Sequence, residues 1–246
     1  MNLQLINHYG NIVENKEEFI QFHDELITNR YDSNFILFKI MPTVEKFNEV
    51  EQYLKTFHQS FNQNHLKFIF PPNEKLSIDL RECVIKKGYD IGILEMYSIK
   101  PDYFNGKLHC PNACWVTEEN FDEFLELQFK EDLRFGLDYA TAKVSFLGRL
   151  SLREDWRAVM VYEGNKAVGS LELIVKQNTV EIDNLFIEES YRNKGYATQL
   201  QAFVMKEFKN KMVILVADSE DTPKHMYIKQ GYHFSGFQYE ILKIGI

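Results

Sequence analysis

The sequence is poor in residues that staple or stiffen small folds: 246 residues hold three cysteines and six prolines. Cys83, Cys110 and Cys114 are odd in number and form no CxxC pair, which excludes a disulfide framework. His109 stands beside Cys110, yet no second ligand pair follows at metal spacing, so no metal is expected. No apolar run approaches the roughly 18 to 20 residues of a membrane span, and nothing at the start reads as a signal peptide. Positive charge is also short, with 28 Lys and Arg against 36 Asp and Glu and a net charge of -8. A phosphate backbone meets no basic field here, which disfavours a nucleic-acid partner. These absences describe a cytoplasmic protein in a reducing compartment, with no membrane partner. What is present is a folded composition, 45% hydrophobic and 14% aromatic. The length suits one large domain or two small ones.

Short apolar runs alternate with segments of helical spacing, which predicts an α+β, mixed α/β architecture. In the first hundred residues the pattern gives a strand at 34–40 and a helix at 43–60 behind Pro42. A strand at 66–70, a helix at about 75–87 ended by Gly88, and an extended stretch at 89–99 follow. The text PDYFNGKLHCP at 101–111 is punctuated by Pro101, Asn105, Gly106 and Pro111, and it sets the expected boundary between domains 1–105 and 106–246. Beyond it come a strand near 113–116, acidic helical text over 118–151, and strands at 157–163, 167–176 and 179–187. A helix opening near 196, a strand at 212–217, a short helix at 223–230 and a final extended stretch at 232–244 complete the order. IKKGYDIGILEMYSIK (85–100) lies over IKQGYHFSGFQYEILK (228–243) with five coincidences in sixteen positions. Each copy closes a β-α-β-α-β run, so a repeat and a generic helix–glycine–strand junction are both open readings.

The stretch EIDNLFIEESYRNKGYATQL (181–200) carries chemistry: a strand, a polar turn, then R-x-x-G-x-A opening an amphipathic helix. Amides at a helix N-terminus lack intrahelical acceptors and face the positive end of the dipole. The run Asn193, Lys194, Gly195, Tyr196, Ala197 and Thr198 is therefore suited to wrap a pyrophosphate. Gly195 permits close backbone approach, Arg192 and Lys194 add charge, and Thr198 adds a hydroxyl.

This text resembles the Gcn5-related N-acetyltransferases (GNAT family). Arg192, Gly195 and Ala197 match the family's Q/R-x-x-G-x-G/A turn, and Tyr227, Gly231 and Tyr232 match its Y-x-x-x-G-F/Y mark. The resemblance covers about 109–246 and implies the GNAT acyl-CoA N-acyltransferase fold with acetyl-CoA as co-substrate. It further implies that Leu185, Phe186 and Ile187, at a bulged strand end, offer backbone groups to pantetheine and polarise the thioester carbonyl. Tyr227 is the implied acid for the departing thiolate. Glu181, fourteen residues before Gly195, is the implied base, with Asp183 on the same side as an alternative. His225 and His233 flank the region without being assigned a role.

The first hundred residues have the element order of the second half of such a domain, a degenerate half-copy in tandem with the complete one. The place of its phosphate turn reads KIMPTVEKF (39–47), without glycine, so this half is not expected to bind CoA. It is expected instead to act as a substrate-side wall or pseudo-dimer partner. The function so implied is acetyl transfer from acetyl-CoA to a primary amine, small molecule or peptide, by direct attack in a ternary complex. The protein would be a monomer or homodimer. The alternative is a non-catalytic acyl-CoA-binding regulatory protein on the same fold. The acidic balance hints at a cationic acceptor such as a polyamine or aminoglycoside.

Overall fold

The computed structural model describes residues 6–219 and 224–246, the side chain of Lys224 excepted. In chain order the strands and helices are β1 (Asn11–Asn15), β2 (Phe19–His23), β3 (Phe35–Phe38), α1 (Val44–Ser60), β4 (His65–Ile69), α2 (Ile78–Lys86) and β5 (Asp90–Ile99). There follow β6 (Ala113–Trp115), α3 (Phe121–Asp132), α4 (Leu137–Leu150), β7 (Trp156–Glu163), β8 (Lys166–Val175) and β9 (Thr179–Ile187). The last are α5 (Tyr196–Glu207), β10 (Met212–Asp218), α6 (Lys224–Lys229) and β11 (His233–Ile244). The chain forms two compact units. The first comprises the described residues of Met1–Met96, Ala217–Asp221 and Ser235–Ile246, and the second those of Tyr97–Val216 and Thr222–Phe234.

In the first unit the strands lie in the order β1-β2-β3-β4-β11-β5. A β1–β2 hairpin precedes the β-α-β-α-β run; β3 and β4 are parallel, and β11 pairs antiparallel with β4 from Glu240↔Ile69 to Ile244↔His65. α1 starts because the Thr43 hydroxyl accepts the Lys46 amide, and it buries Phe47, Val50, Leu54 and His58 on one face. That face meets a phenylalanine core. The Phe38 ring stacks on Phe68 at 5.9 Å and on Phe70 at 5.6 Å, and Phe47 meets Phe68 edge-on at 5.2 Å. Much of the high aromatic content is spent here, in a core completed by Ile241 of β11.

In the second unit β6, β7, β8 and β9 are successively antiparallel, and β10 returns parallel to β9 after the α5 crossover. β8 is buried over nearly its whole length, as its continuous apolar text requires. The helical text of 118–151 forms α3 and α4, separated at Gly136, which takes φ 101. No helix among the described residues is long and apolar enough to cross a membrane. Cys83, Cys110 and Cys114 are half-buried free thiols.

The internal repeat has a common geometry. Gly88 and Gly231 both take positive φ, 78 and 96, and the buried tyrosine after each bonds back five residues. The Tyr89 amide donates to Val84 O at 3.1 Å and the Tyr232 amide to Tyr227 O at 3.0 Å. Both are left-handed helix ends leading into a strand.

Candidate functional site

β9 and β10 part company early. Their pairing runs from Thr179↔Met212 to Ile182↔Leu215, although β9 continues to Ile187 and β10 to Asp218. On its other edge β9 pairs with β8 at Glu172↔Asp183 and again at Ser170↔Phe186, so Asn184 and Leu185 oppose Leu171 alone. This is a bulge, and Asn184 supplies the positive φ of 46 that it needs. Its side chain is fixed as well: Nδ2 donates to Glu172 Oε1 at 2.8 Å and to Gln128 Oε1 at 2.9 Å. Gln128 Nε2 donates to Ser170 Oγ at 2.8 Å, and Trp156 Nε1 to Glu172 Oε2 at 3.0 Å. Gln128, Ser170 and Glu172 are fully or nearly fully buried, where each such bond also avoids the cost of an unmet polar group. The network sets the direction of the Leu185, Phe186 and Ile187 backbone, which lies on the edge that β10 has left.

The turn that follows ends at α5 with Asn193 at φ 63 and Gly195 at φ 87. A Cβ at Gly195 would meet no atom within 4 Å, so the glycine is required by its backbone angle and not by crowding. Among the described residues, the amides of Asn193, Lys194, Gly195, Tyr196, Ala197 and Thr198 have no acceptor within the chain; the helix ladder begins with Gln199 N to Gly195 O at 3.0 Å. No side chain caps α5. The neighbouring cations are held: Arg192 Nε donates to Ile187 O at 3.1 Å, and Lys194 Nζ lies 3.2 Å from Glu163 and 4.7 Å from the Tyr191 ring centre. Tyr196 donates its hydroxyl to the same Glu163 at 2.9 Å, and these two donors hold the Glu163 carboxyl below the usual range. Thr198 accepts from Gln230 Nε2 at 3.2 Å, on the wall of a cleft of about 370 Å³ that Asn105 and Lys229 also line.

Tyr227 is buried on α6, its ring 6.2 Å from Tyr97 and 5.7 Å from Tyr232. The Gly231 that ends this helix has its Cα direction pressed against the Tyr103 carbonyl, where a Cβ would sit at 2.4 Å, which explains the glycine four residues after the tyrosine. The sequence of 221–227 is DTPKHMY, without asparagine, and residues 221–223 lie outside the described residues. Glu181 is buried in β9, three residues before the bulge, opposite Ile174 and Ile214. Asp183 is half-buried next to the bulge and accepts the Asn184 amide at 2.8 Å. His225 and His233 are exposed.

Sequence reading missed Gln128, Glu172, Asn184 and Asp132. Asp132 closes α3 almost fully buried, with Oδ2 lacking a hydrogen-bond donor. Burial pushes its carboxyl up, Lys143 opposing and Glu172 reinforcing. A signal was available for Asn184 alone: it is a residue tolerant of positive φ inside strand text. Beside this group a cleft of about 500 Å³ opens between α3 and the end of β9, bounded by Leu127, Glu131, Phe186 and Glu188. No group of three or more His, Cys, Asp or Glu among the described residues is arranged to hold a metal.

The first unit shows the same elements without the same chemistry. α1 begins behind Pro42, which has no amide hydrogen, and Thr43 caps its amide end. Aligning the repeat puts Val84 where the second unit has Tyr227.

Residues 134–244 match the family model described as an acetyltransferase (GNAT) domain, and residues 1–97 match a domain of unknown function (DUF5613). A functionally unknown conserved protein from Staphylococcus epidermidis ATCC 12228 is similar at 29% identity over 100% of this chain and 98% of that one, with a TM-score of 0.91. A GCN5-related N-acetyltransferase from Kribbella flavida shares the fold at 10% identity, covering 97% of this chain and 91% of its own, with a TM-score of 0.65. A tandem GNAT protein from the clavulanic acid biosynthesis pathway does so at 9% identity over 85% and 75%, with a TM-score of 0.53. No curated protein sequence matches. The fold is thus that of an acyltransferase class, the GNAT acetyltransferases. Residues 134–244 thus match a GNAT domain, and the chain shares the fold of a tandem GNAT protein.

Proposed function

We propose that the protein is an N-acetyltransferase that uses acetyl-CoA and a primary amine in one ternary complex. The observation that carries this reading is the β9–β10 splay, which ends in six consecutive amides without internal acceptors at the start of α5. Asn193 to Thr198 would hold the pyrophosphate, and the β9 edge that β10 has left, at Leu185, Phe186 and Ile187, would pair with pantetheine. Lys229, on the cleft beside Thr198, would face the nucleotide end. Acetyl-CoA supplies an activated acyl group as a thioester.

Acetyl transfer to an ammonium forms one C–N bond, breaks one C–S bond and releases one net proton. The amine must first lose a proton, and Glu181, Asp183 or Asp132 would take it. Asp183 stands beside the bulge, Glu181 two residues before Asp183, and Asp132 at the end of α3. Fixed amides at the bulge would stabilise charge developing on the thioester oxygen without reorganising. Tyr227 would return a proton to the departing sulfur.

The test is thiol release from acetyl-CoA with a panel of amines. Tyr227→Phe should lower turnover about tenfold or more while leaving the acetyl-CoA dissociation constant unchanged. Equal single-turnover rates would remove Tyr227 from the mechanism. Binding without turnover across the panel would favour the regulatory acyl-CoA-binding alternative.

A further inference from the structure

The strands of the first unit sort their side chains by alternation onto two faces of the sheet. On one face Phe19, Ile36, Phe38 and Phe68 pack with residues of α1 and α2. On the other, Phe22, Phe35 and Ile69 form a smaller cluster with Ile20 and Leu37 against it, and no helix residue belongs to it. The Phe22 and Phe35 rings stack at 4.9 Å, and the His8 ring lies 5.3 Å and 5.4 Å from them. Beside these rings opens a cavity of about 400 Å³, whose apolar wall includes Ile20, Phe22 and Leu37. Its volume and apolar lining suit a small organic ligand.

The ionisable side chains on this cavity are Lys39 and His8, both basic in type, and among the described residues no carboxylate lines it. In a chain with 36 Asp and Glu against 28 Lys and Arg, that is a local reversal of charge. The Lys39 ammonium is fixed, since Nζ donates to Asn15 Oδ1 at 2.7 Å and to Lys16 O. Both acceptors are neutral, and Lys39 has no ion pair among the described residues, so its charge is uncompensated and one of its three N–H donors is left. Gln238, also on the wall and only 6% exposed, donates Nε2 to Phe70 O at 3.0 Å. Its Oε1 accepts no hydrogen bond among the described residues, and a buried amide oxygen left in this way is matched by a donor on a ligand.

We infer that the first unit binds a small apolar carboxylate bearing one hydrogen-bond donor. Its carboxylate meets Lys39, its hydroxyl or amide N–H meets Gln238, and its aromatic or branched aliphatic body lies against Ile20, Phe22 and Leu37. Every residue lining the cavity belongs to the first unit, so the site requires nothing of the acetyl-transfer reading. The half whose α1 amide end is capped thus has a ligand site of its own.

The test is calorimetric titration of 3-phenyllactate, lactate and 3-phenylpropylamine into the full chain, in wild type and Lys39→Gln. Lys39 is exposed, and glutamine keeps a donor for Asn15, so the variant should fold. 3-Phenyllactate should bind about tenfold more tightly than lactate, which lacks the body, and than the amine, which carries the opposite charge. Lys39→Gln should weaken it about five- to tenfold, and saturating acetyl-CoA should leave its affinity unchanged. Equal affinity for the amine, indifference to Lys39, or no binding at millimolar 3-phenyllactate would overturn the inference. Displacement of 3-phenyllactate by acetyl-CoA would place the acid in the second unit and overturn it too. The expected ranking in a protein that fails to bind acetyl-CoA would uphold this site and overturn the transfer reading instead.

Discussion

Asn184 has two duties at one position: its backbone takes the left-handed angle of the bulge, and its side-chain amide joins Glu172 to Gln128. Asn184→Ala removes both. The left-handed angle costs an alanine about 1 kcal/mol, and the abandoned buried partners cost about 1–3 kcal/mol more. On the acetyl-transfer reading, turnover should fall about tenfold or more with little change in the KM for acetyl-CoA, because the turn at 193–198 is untouched. Asn184→Gly should recover the backbone part of the stability and not the network. Steady-state kinetics and urea unfolding of both variants check this; wild-type turnover in the alanine variant would show that the network does not aim the bulge.

At the scale of elements, β11 belongs to the first unit from Ser235 onward, and Ile241 enters its core fully buried. Ile241→Ala should therefore lower stability by about 2–5 kcal/mol and reduce hydrogen-exchange protection in β4, its antiparallel neighbour. Unchanged protection in β4 would contradict the assignment. Most elements were legible because their text is strongly periodic. The helix at 43–60 appears as Val44–Ser60, and the strand at 179–187 as Thr179–Ile187. The β1–β2 hairpin was not legible, since β1 (NIVEN) is almost wholly exposed and has no alternation to read. The turn at 192–198 that opens α5 with unpaired amides was legible in sequence because its glycine and helix start are local. The bulge clamp was silent, because it depends on register between β8 and β9 and on a helix fifty-six residues away from Asn184.

Across the whole molecule, buried histidines of the first unit make one contribution to the loss of stability in acid. His58 Nδ1 donates to His65 O at 2.6 Å and His65 Nε2 to Asn34 O at 3.0 Å, and burial pushes both rings down to about 4. The fold therefore holds them neutral. Their contribution is complete above about pH 6.5, where the unfolded rings are also neutral, and is lost as pH falls from there toward 4. By pH 5 each should have removed about 2 kcal/mol. Urea unfolding of the first unit at pH 7.5, 6 and 5 should show the decline; equal stability at all three would contradict it. The contrast between halves is the central claim: α1 is closed by Pro42 and Thr43, whereas α5 leaves its amides open behind Gly195. Calorimetric titration of acetyl-CoA into wild type and Gly195→Glu tests it most directly. The account predicts one site per chain in wild type and none in the variant, whose side chain and charge enter the anion turn. Equal binding by both proteins, or none by wild type at millimolar acetyl-CoA, would contradict it.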